Sequence, residues 1–579
     1  MSWILGCTST SLSRDVRERL VAFRPRGAPP GTLLADGPRL ALVAGGLPDT
    51  LRHGPLPDGG WVVVGLGLRL HDGRAHPLQE ADWAALLARD CPDLSDLDGH
   101  FVAMRWRGDT VEAFTDALGL RTLYLYETDD GLCFSTRLDG MARLGGPAVI
   151  DFSAFGSHWL AFNQLDTRGL LAGVRRLGPG GRWTAEAGRR RHFAEQDWSP
   201  PPPPDRPAEA VLTRLHAALH PALPAGRRLS LGLSGGIDSR LLLAMLARTP
   251  DADVQLHTFG SPDHPDARIA HRLAAATGLP HVHLDAPVPE ADTCWSLLLD
   301  HVALTQGVSP ASAVLGLRQV RSLYDAGCWM VDGGFGEILR RQFFNRLLHR
   351  GRRALQRGSA ADLAAYLRFH RADVFTADVT RRMTDGLAAA MEQRWASLSA
   401  LARHNPETAA DLLGVRVRLP GFFGFEQNRL DALIPSYMPF AQPSLLAAVF
   451  GLPVALRRNG RFVRQTIRRH APALARLPLV KGGTTYPFAL PTLPAHLWTA
   501  LQARLGRRYA DSARTSFLAT LRPLVLDLLH SAAVRTYAPY DRKKLKALVE
   551  GYYAGDDARA AAVDWWLAFE AWRQAIGAR

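Results

Sequence analysis

Residues 229–240, Leu-Ser-Leu-Gly-Leu-Ser-Gly-Gly-Ile-Asp-Ser-Arg, limit the fold more tightly than any other stretch of the chain. An apolar, strand-length run enters Ser234-Gly235-Gly236-Ile237-Asp238-Ser239, and a helical pattern leaves it. Two adjacent glycines let backbone amides turn towards an anion with no Cβ in the way. The amides of the following helix point the same way and add the positive end of its dipole. Ser234 and Ser239 supply hydroxyls, and Asp238 supplies a carboxylate suited to Mg²⁺. A Walker loop would need Gly-Lys-Ser/Thr after a longer loop, which this segment lacks. The alternative reading is a Gly-rich strand-to-helix turn without a ligand.

The surroundings extend this reading. A strand at Leu229–Leu233 is followed by a helix over about 237–248, a strand at Val254–Phe259, a helix over about 265–277 and a strand at His281–Leu284. That alternation predicts a parallel sheet with crossover helices. Ligands of such sheets sit at the carboxyl ends of the strands, where the Ser-Gly-Gly loop emerges. Spaced apolar residues predict further helices in 355–370, 380–402 and 538–575.

Before residue 198 the pattern changes to short apolar runs separated by turn signals. Trp61–Val64, Phe101–Trp106, Thr110–Phe114, Thr122–Tyr126 and Gly131–Ser135 read as strands of a β-rich domain. Ser199–Pro207, Ser-Pro-Pro-Pro-Pro-Pro-Asp-Arg-Pro, suits neither helix nor sheet interior and reads as a stiff spacer. The expected division is therefore 1–198, a linker at 199–207, and 208–579. A chain of 579 residues is too long for one core, which agrees with that division.

Composition narrows the partners. The formal charge of +14 invites a nucleic-acid reading. Its arginines are spread along the chain, and the clusters at Arg189–Arg191, Arg340–Arg353 and Arg542–Lys546 lack interleaved aromatics. A solvated basic surface that attracts ATP or an acidic substrate is the expectation, with no nucleic acid as partner. No apolar run reaches membrane-spanning length, and the first residues lack a secretory pattern. Cys7, Cys91, Cys133, Cys294 and Cys328 lack metal-ligand spacing and fit reduced thiols. A cytoplasmic protein that works without a membrane is expected.

The spacing Ser-Gly-Gly-x-Asp-Ser resembles the pyrophosphate loop of N-type ATP pyrophosphatases, and the chain as a whole resembles the asparagine synthetase superfamily. Asp98-Gly99-His100-Phe101, Asp116-Ala117-Leu118-Gly119-Leu120-Arg121-Thr122-Leu123-Tyr124 and Phe134-Ser135-Thr136 are similar to the glutaminase domain of class II amidotransferases. The resemblance implies a mixed α/β and α+β chain: an N-terminal Ntn-type sandwich and a C-terminal parallel-sheet pyrophosphatase domain with many helices.

Departures from the family pattern imply an inactive glutaminase. Ser2 stands where the family has its nucleophilic cysteine, and a hydroxyl is a poorer nucleophile than a partly ionised thiol. The family's Asn-Gly pair, which helps form the oxyanion hole, is replaced within Val64-Gly65-Leu66-Gly67-Leu68. Cys7 lies inside the first strand and is expected to be a packed thiol.

In the C-terminal part, Val331-Asp332-Gly333-Gly334-Phe335-Gly336-Glu337-Ile338 resembles the family's second metal segment. In one register Asp332 matches and Glu337 replaces the metal-binding aspartate; in a register shifted by one, Gly336 stands at that aspartate. Tyr437–Gln442 resembles the Pro-Phe-Leu-Asp element, with Gln442 for the aspartate. Leu477–Gly483 resembles the segment that brings in a lysine, here Lys481, whose implied role is to balance charge on phosphorus and on the tetrahedral intermediate. Without the resemblance, Lys481 reads as solvated surface.

The resemblance thus implies an ATP and pyrophosphate site at Leu233, Ser234, Gly235, Gly236, Asp238, Ser239, Thr258, Phe259, Gly260, Gly333 and Gly334, with Mg²⁺ on Asp238 and Glu337. Adenine is expected against the backbone of Thr258–Gly260. Asp266 is a further acidic candidate, with helix capping as its alternative. Glu426 is a candidate base, with an ion pair to Arg429 as the alternative. His257, His281, His283 and His301 lack the spacing of a metal site and read as packed or surface imidazoles.

The implied chemistry is ATP-dependent amide formation through an acyl-adenylate. With the glutaminase inactive, the amine must come from elsewhere, as in β-lactam synthetases and lasso peptide cyclases. Gly334, in place of the tyrosine that β-lactam synthetases carry three residues before their second metal aspartate, disfavours the former. A lasso peptide cyclase joining a precursor peptide's amine to a side-chain carboxyl fits better, with a leader-binding protein and a protease as expected partners. Two alternatives remain open: an asparagine synthetase-like ligase using ammonia or a small amine, and a non-catalytic nucleotide-binding protein. A tRNA-modifying pyrophosphatase explains neither the N-terminal domain nor Lys481.

Overall fold

Alternating burial along the N-terminal strands builds two antiparallel sheets face to face. Ile4, Leu42, Val62, Val64, Val102, Met104, Phe134 and Trp183 fill the space between them. Their sequence neighbours Trp3, Leu5 and Cys7 point to the opposite face, as a two-residue period requires. The computed structural model describes residues 2–128, 131–144, 148–161, 165, 167–247, 253–285, 287–307, 309–342, 344–369, 371–509 and 512–578.

The first sheet orders its strands Arg175–Leu177, Leu123–Thr128, Gly131–Ser135, Trp3–Ser9, Leu40–Gly45 and Gly31–Asp36. The second orders Arg189–Ala194, Arg182–Glu186, Thr110–Thr115, Asp98–Arg107, Gly59–His71 and Leu51–Leu56, with Arg74–Pro77 also paired to Gly59–His71. Every expected strand is present, several of them longer than the apolar run alone suggested. The outer face of the second sheet is closed by Trp83, Leu86 and Leu87 of the Glu80–Leu87 helix. The outer face of the first is closed largely by the C-terminal half: Trp3, Phe155 and Phe375 share one core with Trp566, Phe569 and Trp572. Cys7 is buried in the first strand opposite Cys133, and both are free thiols.

After the prolines, the Pro207–Leu219 helix leads into a five-stranded parallel sheet. Its order is His281–Leu284, Val254–Phe259, Arg228–Gly232, Cys328–Val331 and Ser436–Tyr437. The chain builds outward on one side of Arg228–Gly232 and then crosses to the other, so the switch point lies between Arg228–Gly232 and Cys328–Val331. A crevice opens there at the carboxyl ends of the strands. The helices Ile237–Leu246 and Pro265–Thr277 match expectation; Arg248, the expected end of the first, lies outside the described residues. The expected helical regions resolve into pairs: Arg352–Arg357 with Ala360–Leu367, Ala377–Ala396 with Ser399–His404, and Arg542–Tyr553 with Ala560–Ala575. His370, at the end of the first expected region, is likewise outside the described residues.

The Asp98-Gly99-His100 motif joins the two halves. Asp98 accepts from the Ser444 amide at 2.9 Å, and Gly99 N donates to Gln442 Oε1 at 2.7 Å. His100 Nε2 lies 2.9 Å from Asp431 Oδ2, and Arg121 also pairs with Asp431. All of these residues except the half-buried Ser444 are buried. Gln442 therefore serves the junction between the sandwich and the parallel sheet.

Candidate active site

The Ser-Gly-Gly loop is held by its own hydroxyls. Ser234 N donates to Ser239 Oγ at 3.2 Å, Gly236 N donates to Ser234 Oγ at 3.2 Å, and the two hydroxyls lie 3.1 Å apart. Gly236 caps the Ile237–Leu246 helix in an extended conformation, so the first-turn amides face the crevice. Gly235 N donates to Asp266 Oδ1 at 2.9 Å. Asp266 does not cap its helix, where His264 is the N-cap; its carboxylate takes a loop amide instead.

A cavity of about 850 Å³ opens over this loop. It is lined by Leu233, Ser234, Gly236, Asp238, Ser239, Thr258, Phe259, Gly260, Gly333 and Gly334, together with His257, Asp266 and Asp332. Ten of the expected nucleotide-site residues therefore converge on one space. On its Thr258 side, Thr258 Oγ1 donates to Leu233 O at 2.8 Å and lies 2.9 Å from His281 Nε2. Gly260 adopts φ +98° where the strand leaves the sheet, a conformation that favours glycine. His257 was expected to be merely packed; its Nδ1 meets Ser230 Oγ at 2.8 Å while the ring lines the cavity. Burial pushes its pKa down to about 3, with His281 adding to the effect.

Gly333 and Gly336 let the 332–337 loop press directly onto Asp238. A Cβ on Gly336 would fall 2.5 Å from Asp238 Cγ. Position 336, not 337, therefore faces the Asp238 carboxylate, as the shifted register anticipated. Arg340 fills the space at Asp238: its Nε donates to Oδ1 at 2.7 Å and its Nη2 to Oδ2 at 2.5 Å. Burial raises Asp238 to about 6, with Arg340 opposing and Glu337 adding to the rise. Arg340 itself is raised: burial works against its charge, but Asp238 and Glu337 outweigh it. Burial likewise raises Asp332, whose Oδ1 accepts from Gly334 N at 2.6 Å.

This donor set does not fit a resident Mg²⁺. Both Asp238 oxygens are committed to a guanidinium, and the described residues contain no group of three side chains able to hold a metal. Glu337 does not line the cavity, although its charge is felt by Asp238 and Arg340. A metal shared by Asp238 and Glu337 would require the Arg340 pair to open.

Lys481 reaches the site through a short hairpin, Leu479–Lys481 paired with Thr484–Tyr486. Val480 N donates to Gly235 O at 3.0 Å, so the hairpin is bonded to the anion loop itself. A Cβ on Gly235 would lie 2.3 Å from Val480 Cγ2, which accounts for this glycine by close packing and for its absence from the cavity wall. Lys481 Nζ lies 2.9 Å from His496 Nε2. Partial burial lowers its pKa, and the nearby Arg340 charge lowers it further. Lys481 does not line the cavity in this conformation; it stands at the loop's edge.

Glu426 takes the ion-pair alternative. Ser309 Oγ donates to its Oε1 at 2.6 Å, and Arg429 pairs with Oε2. It stands behind Asp332, whose pKa its charge helps raise, and outside the cavity lining. The candidate general base is corrected to a charge-network residue.

Sequence reasoning missed Arg340 and Tyr486. Arg340 was read as part of a surface cluster. The signal was its spacing: four residues after Gly336 on a helical turn, a cation falls on the same side as a position lacking a side chain. Tyr486, opposite Leu479 in the hairpin, interacts electrostatically with Arg464, Arg340, Arg240 and Asp238.

Residues 210–320 match the asparagine synthase family model. The matched segment carries the anion loop, the Thr258 wall and Asp266, and the match supports ligase chemistry that uses ATP. No curated protein matches the chain. Two solved structures are similar in part. One, described as the allosteric regulatory enzyme of purine biosynthesis, is 13% identical with a TM-score of 0.22, over 48% of this chain and 64% of that one. The other, a glutamine phosphoribosylpyrophosphate amidotransferase from B. subtilis complexed with ADP and GMP, is 11% identical with a TM-score of 0.22, over 57% and 81%. At those scores neither carries an argument. No described helix is long and apolar enough to cross a membrane.

Proposed function

We propose that the chain is an ATP-dependent synthetase that adenylates a carboxylate and couples it to an amine, releasing pyrophosphate and AMP. One observation carries the reading: the Ser-Gly-Gly cradle sits at the switch point, over a cavity large enough for a nucleotide, with the Lys481 hairpin bonded to it. In the first step a carboxylate oxygen attacks the α-phosphorus and the bond to the β,γ-phosphates breaks. The loop amides and the first helical turn hold the departing pyrophosphate. In the second step the amine attacks the acyl carbon, AMP leaves, and the amine's proton passes to solvent. Lys481, ordinarily tethered to His496, is placed to follow charge from phosphorus to the tetrahedral intermediate. Magnesium that accompanies ATP enters as part of the substrate.

The N-terminal half supports an amine source other than glutamine. Ser2 is fully buried, its Oγ bonded to Thr50, its carbonyl to Arg121, and Gly46 is packed tightly against it. Those contacts support a packing role for Ser2 in place of a nucleophile's.

A peptide substrate, as in lasso peptide cyclisation, is supported over a small acid by the surface beside Lys481. The adjacent Thr492–Arg504 helix exposes Leu493, Leu497, Trp498 and Leu501, followed by Leu505. Residues 432–510 contain eleven Arg or Lys and no Asp or Glu. An apolar face in a wholly basic segment suits a chain with both apolar and acidic side chains. The test is pyrophosphate and AMP release with candidate peptides, against aspartate plus ammonia. Turnover with aspartate and ammonia alone would favour the small-acid ligase, and nucleotide binding without turnover would favour a binding protein.

A further inference from the structure

Directly after Arg340, the chain builds another cavity, this one lined by arginines, that the synthetase reading does not use. Its volume is about 480 Å³, and Arg341, His349, Arg352, His404, Glu407 and Arg458 line it. Glu407 is already committed to Arg458, whose Nε and Nη2 donate to it at 2.9 and 2.8 Å. Arg352, exposed on the rim, has no partner among the described residues.

The charge behind this cavity is unbalanced. Arg341 is 5% exposed and Arg457 1%; they share the fully buried carboxylate Asp411, and Glu407, already held by Arg458, is the other negative charge they feel. Arg457 Nη1 donates to Asp411 Oδ2 at 2.5 Å, whereas Arg341 Nε stands 3.7 Å from Oδ1, too far for a hydrogen bond. Among the described residues Arg341 donates only through Nη1, to Asn345 Oδ1 at 2.7 Å, and its buried Nε and Nη2 have no acceptor. A buried guanidinium with orphaned donors is costly, and because Arg341 also lines the cavity an anion there would offset its charge. Arg341 and Asn459, both lining this space, also adopt left-handed backbone, φ 49° and 57°. Such conformations cost energy and recur at ligand clamps.

We propose that this cavity binds a phosphate dianion, free or as a small monoester, through Arg341 and Arg352. Arg341 follows Arg340, so the occupant sits one residue from the grip on Asp238 and is placed to bias it. The proposal does not depend on the synthetase reading.

The test is calorimetric titration of inorganic phosphate into the full chain already saturated with α,β-methylene-ATP, which occupies the Ser-Gly-Gly loop. Saturable binding is expected, weakened about tenfold by Arg352→Ala, a rim change that leaves the interior intact. Arg341→Gln should abolish it, with circular dichroism confirming the fold. Phenyl phosphate serves as the monoester arm, and binding at least equal to that of inorganic phosphate assigns the site to a monoester. No saturable phosphate binding under these conditions, or binding indifferent to both substitutions, overturns the proposal. Binding of the ATP analogue, read separately, then still stands or falls with the synthetase reading.

Discussion

Arg340 grips Asp238 at two points, a bidentate pair in which the guanidinium meets both carboxylate oxygens. The pair sits where the 332–337 loop crosses the first turn of the Ile237–Leu246 helix, against a glycine with no side chain to intervene. The chain itself thus places a cation at the start of the helix that follows the Ser-Gly-Gly loop.

Arg340→Gln removes that cation and leaves the Asp238 charge, which lines the cavity, uncompensated. Binding of α,β-methylene-ATP at low Mg²⁺ is expected to fall about tenfold. Raising Mg²⁺ should restore much of it. Calorimetry at two Mg²⁺ concentrations checks both parts, and binding that is insensitive to the substitution would remove Arg340 from the site.

Lys481→Met is expected to separate binding from chemistry. Nucleotide affinity should hardly change, whereas pyrophosphate release should fall on the order of 100-fold, the scale of losing one charge-stabilising donor. A matching loss in affinity would instead mean that Lys481 serves the ground state.

Gly235→Ala tests the tie between loop and hairpin. The added Cβ would fall 2.3 Å from Val480 Cγ2, so the strand carrying Lys481 must move. Activity is expected to fall as in Lys481→Met, with thermal stability nearly unchanged. Full activity would show that the hairpin reaches the site without this contact.

Three interior histidines make the chain sensitive to acid. Burial pushes His158, His257 and His301 down to about 3 from 6.5. Their neutral forms contribute stability that is fully present above pH 6.5 and lost as pH falls towards 3, because the unfolded chain takes up protons that the folded chain refuses. His301 has no partner on either ring nitrogen among the described residues, so His301→Phe should flatten the acid limb of a melting-temperature profile between pH 6.5 and 5. An unchanged slope would contradict the assignment.

The parallel sheet and its loop were legible because strand, glycine pair and helix are local signals, and Val254–Phe259, Pro265–Thr277 and His281–Leu284 fall where periodicity put them. The short Cys328–Val331 and Ser436–Tyr437 strands gave no such signal, since they become strands only by pairing across the switch point. Residues assigned by backbone position, such as Ser234 and Thr258, converged on the cavity. Those assigned by side-chain charge were harder to place. Glu426 and Asp238 each meet an arginine, three residues away in one case and 102 in the other. Linear sequence shows the first of these pairs and hides the second.

The account rests on capture of ATP's phosphates by the amides of Ser234–Ser239, and a crystal structure with α,β-methylene-ATP tests it most directly. The account predicts the β,γ-phosphates on those amides, with adenine against Thr258–Gly260 and Arg340 turned towards the phosphates. An empty loop under saturating analogue, with Asp266 still on Gly235 and Arg340 still on Asp238, would contradict it.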